Sequence, residues 1–281
     1  MYKALAPGNI GHGINFKDAA RAAAKHGYEG YWFDIAEDSK VSIEETKALL
    51  AETGLKAAGF SLPVEFRGEP DVFEAGFAKL EEYVKYAVEI GAKRCATWIL
   101  PSSDKYSYEE NFALHRDRLR KCCEVLKKYD IIFGMEFVGS PDLLSGVKYK
   151  FIHNLDQMLE LCDAIGTGNC GLLLDVWHWD MAGQIPADWA KITADQVALV
   201  HINDAPTGIP MEEQKDSVRR LPGETGVLRM AEFFEGLKSI GYEGPVVVEP
   251  FVPELSQMSF EEALTVVMDS INRVWPTLET K

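Results

Sequence analysis

Residues 170–180 read CGLLLDVWHWD, an apolar run that stops at Asp175 and is followed three residues later by His178. The same phrase recurs three times. Residues 131–139 (IIFGMEFVG) bring Glu136, residues 198–204 (ALVHIND) bring His201 and Asp204, and residues 245–251 (PVVVEPF) bring Glu249. Short runs of β-branched and aliphatic residues are strand material. In a parallel (β/α)8 barrel the C-terminal ends of the strands converge on one mouth, so polar residues placed where such runs stop would meet there.

Outward from these four, similar runs predict strands over residues 2–6, 28–35, 55–62, 94–100, 131–138, 171–176, 198–202 and 246–251, about eight, the barrel number. Between them lie stretches of helical spacing: residues 16–27, 42–54, 72–92, 114–130, 155–166 and 230–241, most ending in glycine or a polar stop. A closing helix is expected over 259–275, with Glu261 and Glu262 in its first turn. No linker or low-complexity stretch interrupts the alternation, so residues 1–281 are read as a single TIM-barrel domain. The competing doubly wound sheet would carry a phosphate-binding glycine loop near the first strand, and GNIGHG at 8–13 lacks the G-x-G-x-x-G spacing.

Composition narrows the function classes. A 47% hydrophobic and 26% charged chain can bury a large core, and a net charge of -15 repels phosphate backbones and anionic lipid, so neither nucleic acid nor membrane is an expected partner. Five cysteines with no C-x-x-C pair argue against a disulfide framework or zinc knuckle. The first residues show no signal-peptide pattern, and a cytoplasmic protein is expected.

A carboxylate after three valines is costly to bury without counter-charge, and no Lys or Arg stands near the four strand ends in sequence, so a cation is expected there. Three carboxylates and one imidazole (Glu136, Asp175, His201 and Glu249) suit one divalent ion, Mn²⁺, Mg²⁺, Co²⁺ or Zn²⁺. Taken singly, each residue has a plainer role as a helix N-cap or a satisfied core group, and Asp204, before APTG, is good turn chemistry.

The segments MEFVGSP, GLLLDVWHWDMAG, VHINDAP, LPGETG and VVVEPFVPE resemble the xylose isomerase-like superfamily of sugar isomerases and epimerases, with its inosose isomerase branch the nearest in pattern. The likeness is dense in the second half and rests on length and strand spacing in the first. It implies that Glu136, Asp175, His201 and Glu249 hold the metal, that His178 contacts substrate, and that the substrate is a small keto-polyol or keto-sugar. A metal chelated by a carbonyl and its neighbouring hydroxyl stabilises an enediolate, with Glu136 and Glu249 as the acid and base. Relatives often form dimers or tetramers, which leaves a homo-oligomer as an open expectation.

Two departures from the ketose 3-epimerase branch stand out: Asp142 where that branch has glutamate, and Thr207 where it has arginine. Arg219 and Arg220, before LPGETG, are candidates to supply positive charge to the mouth, with solvated surface as the plainer reading. Trp32, Phe60, Trp98, Trp177 and Trp179 are candidates for a stacking wall, Trp98 foremost for substrate, with packing under loops as the alternative. Asn9, His12, Asp34, Ser61 and Glu65 read as ordinary loop chemistry. Three other functions fit less of the pattern: a dehydratase such as a 3-dehydroshikimate dehydratase, which needs a carboxylate-binding cation; an endonuclease IV-like nuclease, which needs more than the six histidines present; and a non-catalytic sugar-binding barrel.

Overall fold

The eight apolar runs form the eight strands of a closed parallel barrel in the computed structural model, which describes residues 1–276. They are β1 (Tyr2–Leu5), β2 (Gly30–Phe33), β3 (Lys56–Ser61), β4 (Arg94–Ile99), β5 (Ile132–Phe137), β6 (Cys170–Asp175), β7 (Val197–Ile202) and β8 (Pro245–Val248), with β8 pairing back onto β1. Each is followed by a helix: α1 (Phe16–Lys25), α2 (Ile43–Thr53), α3 (Pro70–Glu89), α4 (Tyr108–Lys127), α5 (Leu155–Ile165), α6 (Val176–Met181), α7 (Met230–Ser239) and α8 (Phe260–Val274).

Element ends differ from the sequence expectation for local reasons. The last strand stops at Val248, short of residue 251, because the chain turns out of the barrel there and Phe251 takes a left-handed backbone (φ 43°). The helix expected from residue 114 starts at Tyr108, because Ser107 and Glu110 form a reciprocal capping box that winds the chain from that point. The closing helix is capped in the same way by Ser259 and Glu262.

Strand alternation sorts side chains into two cores and sets the site. Outward-facing Met135, Leu172, Leu174, Val200, Val246 and Val248 pack beneath the helices, whereas Ala4, Ala58, Ala96, Leu173, Leu199 and Val247 fill the barrel interior. Asp175, His201 and Glu249 each stand two residues beyond an interior residue, Leu173, Leu199 and Val247, and Glu136 stands two beyond Gly134. The four therefore share the interior face at its C-terminal rim. Small residues dominate the β1–β4 side of the interior, and Trp32 fills the space they leave. At Gly59 (φ 151°) an added Cβ would lie 2.3 Å from the Trp32 ring, so the missing side chain there makes room for the indole.

Asp204 takes the plainer of its two readings. Its carboxylate accepts backbone N–H groups from Ala205, Thr225, Gly226 and Leu228 at 2.8–3.2 Å and so pins the long loop after β7. That loop carries Arg219.

Candidate active site

The structure brings Glu136, Asp175, His201 and Glu249 together, with one donor atom from each lying within 4.8 Å of the others. His201 Nδ1 sits at the centre, 3.5 Å from Glu136 Oε1, 3.4 Å from Glu249 Oε2 and 3.9 Å from Asp175 Oδ2. Asp175 does two jobs. Its Oδ1 accepts from the backbone N–H of Trp177 (2.6 Å) and His178 (3.3 Å) as the N-cap of α6, and its Oδ2 accepts from Asn203 Nδ2 (3.0 Å) and Arg219 Nη1 (2.9 Å).

No basic side chain stands beside these carboxylates in sequence, but Arg219, one of the two candidates to bring positive charge to the mouth, reaches them from the loop after β7. It is 1% exposed, and Nη1 reaches both Asp175 Oδ2 and Glu249 Oε2 (3.2 Å), while Nη2 reaches Asp216 Oδ1 (2.8 Å) and Nε donates to the Asp216 carbonyl. The rings of Trp177 (5.1 Å) and Phe251 (4.6 Å) cover its guanidinium. Forty-four residues of chain separate Arg219 from Asp175, which is why local sequence hid the pair. Arg220 takes the solvated reading instead and is partly exposed beside Glu224.

These contacts set the protonation. Burial pushes Glu136 up to about 8, with His201 opposing and the Glu249 and Asp175 charges adding to the rise. Burial would lower His201, but Glu249 and Glu136 outweigh it and hold the imidazole at about 10. Burial would likewise raise Glu249, yet His201 and Arg219 win and keep it below its ordinary value. Asp175 stays above its usual range because burial exceeds the Arg219 attraction. His178 is driven well below its ordinary value by burial and then by Arg219. Its neutral Nε2, 3.1 Å from Arg219 Nη2, therefore accepts that N–H.

The donor set fits a divalent cation on the chain's own chemistry. Glu136 Oε1 and His201 Nδ1 are buried without a hydrogen-bond partner, and with the imidazole neutral and Glu136 ionised three carboxylates would face one guanidinium, an excess of negative charge that a divalent ion would offset. An ion with donors at about 2.1 Å accepts them up to roughly 4.2 Å apart, close to the observed spread.

A cavity of about 300 Å³ opens above the cluster, lined by Glu136, His201 and Glu249 together with Asn9, Trp32, Ser61, Arg67 and Trp98. Trp98, the foremost candidate for a stacking wall, is 45% exposed and lines this cavity. His178 and Arg219, expected to touch substrate, do not line this cavity; they lie behind Asp175 and Glu249. Trp177 and Trp179 are buried, the first against Arg219 and the second stacked on Trp189 at 4.5 Å, and Phe60 is core, so none of these three is a wall. Asp142 takes its turn role, accepting from Ser140 Oγ and from the Asp216 N–H (3.2 Å).

Three site residues escaped the sequence reading. Asn203 follows His201 by two and so shares its inward parity, a signal that was legible. Asp216 and Arg67 sit in loops and carried none. Arg67 lies over the Trp98 ring at 4.2 Å, with Nε and Nη2 on the Glu65 carboxylate and Nη1 on the Trp98 carbonyl.

A parallel eight-stranded barrel with a carboxylate and histidine cluster at its C-terminal mouth defines the class: an α/β barrel built to present polar groups to a small ligand. A family model described as xylose isomerase-like TIM barrel matches residues 20–272, and the chain belongs to that family. The match reaches well into the first half, where the sequence motifs were thin. Inosose isomerase of Halalkalibacterium halodurans is 31% identical over 165 residues, 58% of this chain and 55% of that protein, so the alignment spans little more than half the relative's length. Inosose isomerase of Bacillus velezensis is 22% identical over 92% of both chains, and a ketose 3-epimerase of Arthrobacter globiformis is 24% identical over 83% of this chain and 78% of its own. A xylose isomerase domain protein from Alicyclobacillus acidocaldarius superposes with TM-score 0.86 over 98% of both chains at 25% identity. The IOLI protein, solved with a bound zinc atom, superposes with TM-score 0.80 over 99% of this chain and 100% of its own at 20% identity. No helix among the described residues is long and apolar enough to cross a membrane.

Proposed function

We propose that the protein is a divalent-metal-dependent isomerase or epimerase that takes a proton from the carbon next to the carbonyl of an inosose-like keto-polyol or keto-sugar and returns one to the carbonyl carbon or to the opposite face of the same carbon. The observation that carries this reading is the convergence of Glu136, Asp175, His201 and Glu249 beneath a cavity walled by Trp98 and Trp32. The names of the relatives point the same way, and the zinc in the IOLI protein supports a metal on this scaffold.

Glu136, Asp175, His201 and Glu249 would hold the ion, which supplies Lewis acidity to a carbonyl and its neighbouring hydroxyl and so stabilises enediolate charge. Glu249, kept ionised by His201 and Arg219, takes the proton from the carbon next to the carbonyl on its carboxylate oxygen. Glu136 returns a proton to the neighbouring carbon or to the opposite face. Arg219 and His178 act from behind as positioning groups, fixing the carboxylates of Asp175 and Glu249. Both glutamates then reset by exchange with water, so solvent hydrogen enters the product.

The dehydratase alternative needs a free cation for a substrate carboxylate. Arg219 is engaged by Asp175, Glu249, Asp216 and His178, and Arg67 by Glu65, which favours the neutral keto-polyol.

Two measurements test the reading. In D2O, a panel of inososes, ketoses and dehydroshikimate should show deuterium at a carbon next to the carbonyl of an inosose or ketose; loss of water from dehydroshikimate, seen by ultraviolet absorption, would favour the lyase instead. Elemental analysis should return about one divalent ion per chain. Because His201 holds a proton near neutrality without an ion, loading should release that proton and weaken as pH falls, seen in calorimetry as a heat that depends on the buffer's ionisation enthalpy. A chain that takes up no ion after reconstitution would overturn the metal assignment.

A further inference from the structure

A second, larger space adjoins the cluster cavity. It holds about 880 Å³ between the segments that follow β1, β2 and β3, and Asn9, Trp32, Ser61 and Leu62 line both spaces, so the two are continuous. At about 30 Å³ per water-sized group, the cluster cavity takes roughly ten such groups, which is one polyol ring with its hydroxyls. The side cleft is left over.

The walls of this cleft indicate what it would take. Trp32 forms the shared floor, held in place by the room at Gly59 and by its Nε1–H donated to Ser61 Oγ (3.1 Å). Asn9 and Asp34 present side chains that bond hydroxyls, and Tyr31 contributes to the lining. Asp38, more than nine-tenths buried, also lines the cleft, and its Oδ2 has no partner. Lys40 is tied to Glu37 at 2.5 Å, so its charge is already met. An aromatic face beside amides and carboxylates recognises a hydroxylated ring better than an anion or an apolar chain.

We propose that the substrate is a two-ring compound, a keto-polyol ring at the cluster bearing a glycosyl substituent that occupies this cleft. The identity of the first ring rests on the isomerase reading; the cleft's preference for a second ring does not.

The test uses Gly13, which lines the cleft. An added Cβ there meets nothing within 4 Å and Gly13 does not line the cluster cavity, so Gly13→Trp is chosen to put an indole at the cleft wall away from the cluster. Four glucosyl-fructoses of different linkage (turanose, maltulose, leucrose and isomaltulose) are compared with D-fructose and 2-keto-myo-inositol by calorimetric binding and by deuterium wash-in. At least one two-ring ketose should bind tenfold or more tightly than D-fructose and lose that advantage in Gly13→Trp, while 2-keto-myo-inositol behaves alike with both proteins. If all four bind no better than D-fructose, or if Gly13→Trp leaves their binding unchanged, the second-ring site is wrong, whatever the inosose does. A binding preference that Gly13→Trp abolishes, without deuterium entering any keto compound, would uphold the cleft and sink the isomerase reading instead.

Discussion

Glu249→Gln is expected to cut turnover and deuterium wash-in by about 10²–10⁴-fold, the usual contribution of a positioned general base. The substitution is nearly isosteric, and the amide oxygen can still accept from Arg219 Nη1, which now donates to Glu249 Oε2 at 3.2 Å. What is lost is the negative charge that takes the proton and that raises His201. The melting temperature should therefore stay within a few degrees of the parent while the rate collapses. A parallel Glu136→Gln variant separates the two roles: if Glu136 only returns the proton, removal of substrate hydrogen should survive better there than in Glu249→Gln. An unchanged rate in Glu249→Gln, on a substrate the parent turns over, would remove Glu249 from the chemistry.

Arg219→Met should be among the most destabilising single changes in the chain. Breaking a buried ion pair by removing one partner costs roughly 3–5 kcal/mol, because the other charge stays buried. Here the guanidinium attends Asp175, Glu249 and Asp216 together and fills the gap between Trp177 and Phe251. For a chain of this size the melting temperature should fall by on the order of 10 °C. Arg219→Lys keeps the charge but loses the planar fork, so it should recover part of the loss. Divalent ions should raise the melting temperature of Arg219→Met more than that of the parent, since a cation at the cluster takes over some of the neutralisation. A melting temperature unchanged by Arg219→Met would show that the carboxylates do not depend on it.

The barrel and the four-residue cluster were legible because both follow from one local rule. A parallel strand alternates its side chains, the interior face ends in a polar residue, and Glu136, Asp175 and His201 occupy that last interior position in three strands while Glu249 takes the same parity one residue past the fourth. No long-range knowledge is needed to see it. Arg219 fails the same rule: it reaches the cluster from a loop whose path is set by Asp204 gripping backbone N–H groups more than twenty residues downstream, and nothing in its neighbourhood announces that grip. Trp177 misled for a related reason. It stands two residues beyond Asp175 in sequence, but the chain has already turned into α6 there, so its ring backs Arg219 rather than facing ligand. The first-half residues Asn9, Asp34 and Ser61 gave no warning because loop polar residues look alike until the loops are placed side by side.

Asp175 limits how the site can change over evolutionary time. One of its oxygens starts α6 and the other holds Asn203 and Arg219, so a histidine or cysteine introduced at this position would have to replace a helix cap, an amide contact and an ion pair in a single step. A lineage drifting towards sulfur- or nitrogen-rich coordination meets a folding barrier at residue 175 before any benefit in ion choice appears. Neighbouring position 136, whose side chain carries no cap, is the freer place for such variation to begin.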